Sequence, residues 1–166
     1  MQVRAARHCL MFWKNRQLFK KAQEALEQND YQAAEQELSA LIEKDAEAIE
    51  ALWHRALVRV RLGRKEDALD DARKASELRP ENAIGFMILG EVFLSLSAHQ
   101  EAYESFQKAC AMEKDNGRAF FGWAKACVAL GRKEEAGDHM EVALQFERDF
   151  VNAQVFVELL GASQRS

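Results

Sequence analysis

Histidine and cysteine are the side chains of this chain best suited to chemistry, and their placement works against it. His8, His54, His99 and His139 are dispersed, and none neighbours a second ligand type in a recognisable spacing. Cys9, Cys110 and Cys127 are odd in number and follow no metal-ligand pattern, whereas a structural zinc needs four converging ligands. There is no Gly-rich phosphate loop, no Gly-x-Ser-x-Gly elbow and no His-Glu-x-x-His. No catalysis, no cofactor and no metal is therefore expected. The cysteines imply a reducing, cytoplasmic setting, with Cys110 and Cys127 as small apolar fillers. The many Glu/Lys pairs read as charge on solvated helix faces. Phe19, Trp53, Met87 and Phe121 recur once every 34 residues.

The elements that must position these groups show the same period. Alanine stands at 34, 68, 102 and 136. Twelve residues before each is a small residue: Ala22, Ala56, Gly90 and Ala124. Sixteen before is a large apolar one: Leu18, Leu52, Phe86 and Phe120. Self-similarity at such a period signals stacked supersecondary units. Four copies fit, at 15–48, 49–82, 83–116 and 117–150. Each holds two apolar-periodic segments separated by a turn-like break: Asn29-Asp30, Gly63-Arg64, Ser97-Ala98 and Gly131-Arg132. Gly and Asn tolerate the left-handed backbone that ends a helix, so each break is a helix stop. Pro80 closes the second copy, and Asn82 suits a cap for the helix after it. Each copy is then a helical hairpin. Small residues at its eighth and twentieth positions let the helices approach. Leu38, Phe106 and Met140, with Ala72 in the second copy, fill the space between hairpins at the twenty-fourth.

Residues 83–116 carry Phe86, Leu89, Gly90, Phe93, Ala102, Phe106 and Ala109, and residues 117–150 carry Phe120, Trp123, Ala124, Ala136, Met140 and Ala143. Residues 49–82 add Leu52, Ala56, Gly63, Ala68, Ala75, Leu78 and Pro80. The first copy keeps Leu18, Ala22, Tyr31, Ala34 and Leu38 but has Lys21 and Ala25 where Leu and an aromatic are usual. This pattern resembles the tetratricopeptide repeat. The resemblance implies an all-α, right-handed superhelical solenoid of four hairpins with flanking N-terminal and C-terminal helices. Arg55 and Arg59 depart from the motif at positions that usually hold apolar groups. A buried unpaired charge is costly, so Arg55 is expected to pair with Asp70 or Asp71 on the second helix of its own hairpin.

By the same resemblance the first helices line a concave groove, into which positions 2, 5, 6, 9, 12 and 13 of each copy point. Position 5 supplies Phe19, Trp53, Met87 and Phe121; position 6 supplies Lys20, His54, Ile88 and Gly122. Position 2 supplies Arg16, Glu50, Ile84 and Arg118; position 9 supplies Gln23, Leu57, Glu91 and Lys125. Trp53, Leu57, Ile84, Met87 and Ile88 give the groove an apolar middle between polar, largely basic ends. Such a cluster facing water suits a partner's peptide or helix. The alternative is that the chain's own ends cover it. The Lys, Asn and Arg clamp by which co-chaperone members hold chaperone tails is missing. One frame puts Phe19, Gln23, His54, Ile84 and Ile88 in its place, and the next frame Trp53, Leu57, Ile88, Arg118 and Gly122. The expected function is a non-catalytic protein–protein interaction scaffold that binds an apolar segment. Two alternatives stand beside it, a self-assembling structural scaffold and a small acidic secretion-type chaperone.

Charge bounds the partners. The net charge is −4, which argues against nucleic acid. Residues 1–23 hold six basic side chains and no acid. They read as an organelle-targeting or interfacial helix or, preferably, as a basic helical extension (1–14) packed on the first copy. No stretch approaches the ~20 apolar residues of a membrane span. Residues 151–166 read as a capping helix and frayed tail. Val151, Val155, Phe156, Val157, Leu159 and Leu160 lie on more than one face, so self-association through this helix is a further partner reading.

Overall fold

The computed structural model describes the backbone of residues 2–146 and the side chains of residues 15–146. The sequence expectations for 151–166 lie outside the described residues. Eight α-helices follow one another, with no strand among the described residues: α1 (Gln2–Glu27), α2 (Tyr31–Lys44), α3 (Ile49–Arg61), α4 (Lys65–Leu78), α5 (Ala83–Ser95), α6 (His99–Met112), α7 (Gly117–Ala129) and α8 (Lys133–Phe146). The fold is an all-α helical-repeat solenoid of four hairpins. α1 runs unbroken from Gln2 into the first hairpin.

Local chemistry sets the helix ends. Asp30, Asn82 and Asn116 are N-caps whose side chains accept from Ala33 N, Ile84 N and Ala119 N. Each satisfies an N–H that has no partner within its helix. The turn inside each hairpin places one residue in the left-handed region: Asn29 at φ 57°, Gly63 at 77°, Ser97 at 59° and Gly131 at 76°. These four lie one period apart, so the same backbone closes all four hairpins. An alanine Cβ at Gly63 would meet nothing within 4 Å. Gly63→Ala is therefore expected to cost about 1–2 kcal/mol through the backbone alone, seen as a lower urea midpoint with an unchanged m-value.

The chain divides into two compact units between Arg79 and Pro80. In the first, α1 packs on α2, α2 on α3 and α3 on α4. In the second, α5 packs on α6, α6 on α7 and α7 on α8, and α5 also reaches α7. The small residues sit where the helices approach, with Ala34, Ala56, Ala68, Ala102, Ala124 and Ala136 wholly buried.

Two features specialise the units. In the first, Arg55 donates to Asp71 through Nε (2.8 Å) and Nη2 (2.7 Å) and to Ser39 Oγ (3.1 Å). Arg59 donates to Asp71 (2.8 Å) and Glu35 (3.0 Å), and Arg64 Nη1 donates to both oxygens of Glu35. The expected partner of Arg55 is thus Asp71, and a second arginine shares it. In the second unit, Phe106 is buried against Ala102 and Ala126. A Cβ on Gly90 would stand 2.6 Å from its Cε2, and one on Gly122 2.1 Å from its Cε1. The ring fills the space that two missing side chains leave on α5 and α7.

Candidate protein-binding site

Each unit carries a cleft between the first helix of one hairpin, the loop after its second helix, and the start of the next hairpin. In the first unit a cleft of about 390 Å³ is lined by Arg16 and Phe19 of α1, Asp45 and Glu47 of the loop, Glu50 of α3, and Arg79. In the second a cleft of about 460 Å³ is lined by Ile84 and Met87 of α5, Glu113, Asp115 and Asn116 of the loop, and Arg118 of α7. The two correspond residue for residue two periods apart. Arg16 answers to Ile84, Phe19 to Met87, Asp45 to Glu113, Glu47 to Asp115 and Glu50 to Arg118. One backbone frame therefore presents an arginine-flanked aromatic in one unit and an aliphatic pair in the other.

Local contacts hold these walls. Phe19 meets the His54 ring edge-on at 5.2 Å. Asn116 caps α7 and turns its amide on Met87 Sδ (3.4 Å) and Glu113 Oε2 (2.7 Å). One turn beyond Met87, Glu91 of α5 pairs with Lys125 of α7. The Lys125 ammonium lies 5.4 Å from the Phe121 ring centroid, so that face is held by charge and a cation–π contact.

Burial holds the His54 imidazole below its usual value of 6.5, against the opposing pull of Glu50. A depressed folded pKa favours the neutral form. The contribution is therefore present above about pH 6.5 and is lost as pH falls through the lower folded value. Thermal midpoints between about pH 7 and 5 are expected to fall less in His54→Gln than in the parent chain.

The structure corrects three expectations. Trp53 and Ile88, expected to face water, are each only 7% exposed, and the Trp53 Nε1 is shut from solvent with no hydrogen bond. A large indole removes more apolar area by lying among helices than by facing water. Gly122, expected in the groove, points its missing side chain at Phe106. In α7, position 6 therefore faces the preceding hairpin of its own unit. Lys20 shares that position yet is exposed. Of the expected groove residues, the large apolar ones left open are Leu57 and Ile84, at 38% and 41% exposure. Phe19, Met87 and Phe121 are half-buried and Arg118 is exposed. Lys20 and Leu57 line neither cleft.

One cluster escaped the sequence reading. His139 does neighbour other ligand types: Cys127 across the α7–α8 hairpin and Glu135 one turn back on α8. The Glu135-x-x-x-His139 spacing was the available signal, since it puts both on one helix face. Its convergence with Cys127 needs the hairpin to be folded.

No helix among the described residues is long and apolar enough to cross a membrane. No curated protein matches the chain. Among solved structures it is similar to a thermophilic TPR protein of Thermus thermophilus, with 17% identity over 90% of this chain and 82% of that one and a TM-score of 0.83. It is similar to pilF of Pseudomonas aeruginosa, with 17% identity over 93% and 71% and a TM-score of 0.81. It also matches the first TPR of Spaghetti (RPAP3), solved bound to the HSP90 peptide SRMEEVD, with 20% identity over 74% and 97% and a TM-score of 0.66. The family model for the tetratricopeptide repeat matches residues 19–77 and 55–119. With four hairpins in one phase and a matching model over most of its length, the chain belongs to the tetratricopeptide repeat family, whose hairpins serve as protein–protein interaction scaffolds.

Proposed function

We propose that the chain is a non-catalytic scaffold that holds an apolar peptide or helix of a partner protein against the first helices of its hairpins, the four copies running from 15 to 150. The carrying observation is the second-unit cleft. Ile84 is exposed beside half-buried Met87, and Arg118, Glu113 and Asp115 line the same cleft. An apolar anchor within a polar border is how a few side chains carry most of an interface's energy. In the second unit Glu91, Phe121 and Lys125 extend the proposed surface, and in the first Phe19, Lys20, His54 and Leu57 form that unit's own.

Selection of peptides from a random display library tests the reading. The parent chain is expected to select peptides with a large aliphatic or aromatic anchor. Ile84→Glu and Met87→Glu are expected to weaken a selected peptide about thirtyfold, a hot-spot loss of about 2 kcal/mol, with helicity unchanged. Equal binding by the parent and both variants would overturn the assignment of this cleft. The peptide SRMEEVD, which the Spaghetti neighbour holds, is expected to bind poorly, because the clamp positions here carry Phe19, Gln23, His54, Ile84 and Ile88.

A further inference from the structure

We propose that Cys127, Glu135 and His139 form a site for a zinc-like divalent cation, with water as the fourth ligand. The Cys127 thiol, a Glu135 carboxylate oxygen and a His139 ring nitrogen all lie within 4.8 Å of one another. Bonds of about 2.0–2.3 Å around a tetrahedral cation set ligand atoms about 3.3–3.8 Å apart, so closure by about 1 Å completes the set. Side-chain rotation supplies that. Two ligands stand one turn apart on α8 and the third on α7, a rigid frame for such a site.

His139 Nε2 supplies a second, independent observation. It is shut from solvent and makes no hydrogen bond, and its nearest carboxylate oxygen, Glu135 Oε1, is 3.6 Å away. A buried nitrogen without a partner is costly, and a cation gives it one. The surroundings hold the ligands in place. Tyr103 donates its hydroxyl to Glu135 Oε1 at 2.6 Å. The Trp123 indole stacks on the His139 ring at 3.8 Å and 18°. Outer contacts of this kind orient metal ligands. The Glu135 side chain is 34% exposed and gives the ion its way in.

The same trio cannot act as a nucleophile, base and orienting acid. Cys127 is wholly buried, and burial pushes its thiol up to about 12. No substrate reaches it, and no thiolate stands ready. A cation changes that balance. Cys–SH gives up its proton as the sulfur–metal bond forms, so one proton leaves per ion bound. Thiolate and carboxylate then neutralise the divalent charge. A sulfur, nitrogen and oxygen set favours zinc over the oxygen-seeking magnesium and calcium.

Cobalt(II) is the probe, titrated into the chelator-treated full chain. One equivalent is expected to give the visible bands of a tetrahedral ion and a near-ultraviolet thiolate-to-cobalt band, with one proton released and zinc displacing the cobalt. Cys127→Ala is expected to lose the thiolate band. His139→Gln keeps the thiol and is expected to bind at least tenfold more weakly, as is Tyr103→Phe. Cys110→Ala is expected to match the parent. Absence of a thiolate band in the parent chain overturns the site. So does a band that survives Cys127→Ala, because it would belong to Cys9 or Cys110. Should Cys127→Ala not fold, unchanged cobalt affinity in His139→Gln overturns the site on its own.

Discussion

Asp71→Ala is expected to destabilise the first unit by about 3–5 kcal/mol, the cost of leaving a buried charge without its partner. Asp71 is 5% exposed and receives two hydrogen bonds from Arg55 and one from Arg59. Removing it leaves the Arg55 guanidinium, 14% exposed, without an acid, and Arg59, 17% exposed, with Glu35 as its remaining acid. Arg64→Ala provides the contrast. Arg64 is 55% exposed, so its pair with Glu35 is screened and its loss is expected to cost less than about 1 kcal/mol. Urea unfolding followed by helicity checks both. An Asp71→Ala midpoint equal to the parent's would mean that water reaches the network. The network also has an acid signature. Burial raises the Glu35 pKa, but the hydrogen bond from Arg59 and the charges of Arg64 and Arg59 outweigh it and hold the carboxyl below its usual 4.5. Its stabilisation is therefore full above about pH 4.5 and disappears as pH falls through the lower folded value. Glu35→Gln should flatten that part of the acid limb.

Gly122→Ala reverses an ordinary rule. Within a helix, alanine is more stable than glycine by about 0.5–1 kcal/mol. Here the new Cβ would stand 2.1 Å from Phe106 Cε1. The ring has no retreat, because its opposite edge lies where a Cβ on Gly90 would stand, 2.6 Å from Cε2. The substitution is expected to destabilise the second unit by about 1–3 kcal/mol, the usual cost of overpacking. Phe106→Ala, which empties the same space, is expected to cost about 3–5 kcal/mol. A double-mutant cycle of Gly122→Ala with Phe106→Leu separates the causes. The smaller side chain makes room for the Cβ, so the pair should cost less than the sum of its members. Strict additivity would show that the glycine answers to something other than the ring.

The parts of the fold written plainly in the sequence are those where steric demand allows few residues. Ala34, Ala68, Ala102 and Ala136 repeat because helices close only over small side chains. Asn29, Gly63, Ser97 and Gly131 repeat because one left-handed residue closes each hairpin. Arg55 could be narrowed to Asp70 or Asp71 because a buried charge needs a partner within reach. The site was less legible. Neighbouring positions on a helix differ by about 100° in direction, so positions 5 and 6 lie close to the border between open surface and core. On which side Trp53, Ile88 and Gly122 fall depends on the bulk of the helices packed against them, which a one-dimensional period does not carry. Lys20 shows the same dependence reversed, exposed at a position that is buried at Ile88 and Gly122. The meeting of Cys127 with Glu135 and His139 depends on the pairing of α7 with α8.

Within each unit, the packing of each helix on its sequence neighbours also has a consequence in time. Chains whose contacts are local fold in microseconds to milliseconds, because little loop entropy is spent before contacts form. Synthesis delivers about 5–20 residues per second, so one 34-residue hairpin takes roughly 2–7 s to emerge. Each hairpin can thus close long before the next is made, and α3 arrives at an α1–α2 pair already formed. The nascent chain seldom shows more than one unpaired apolar face, and so gives aggregation little opportunity while the protein is being built.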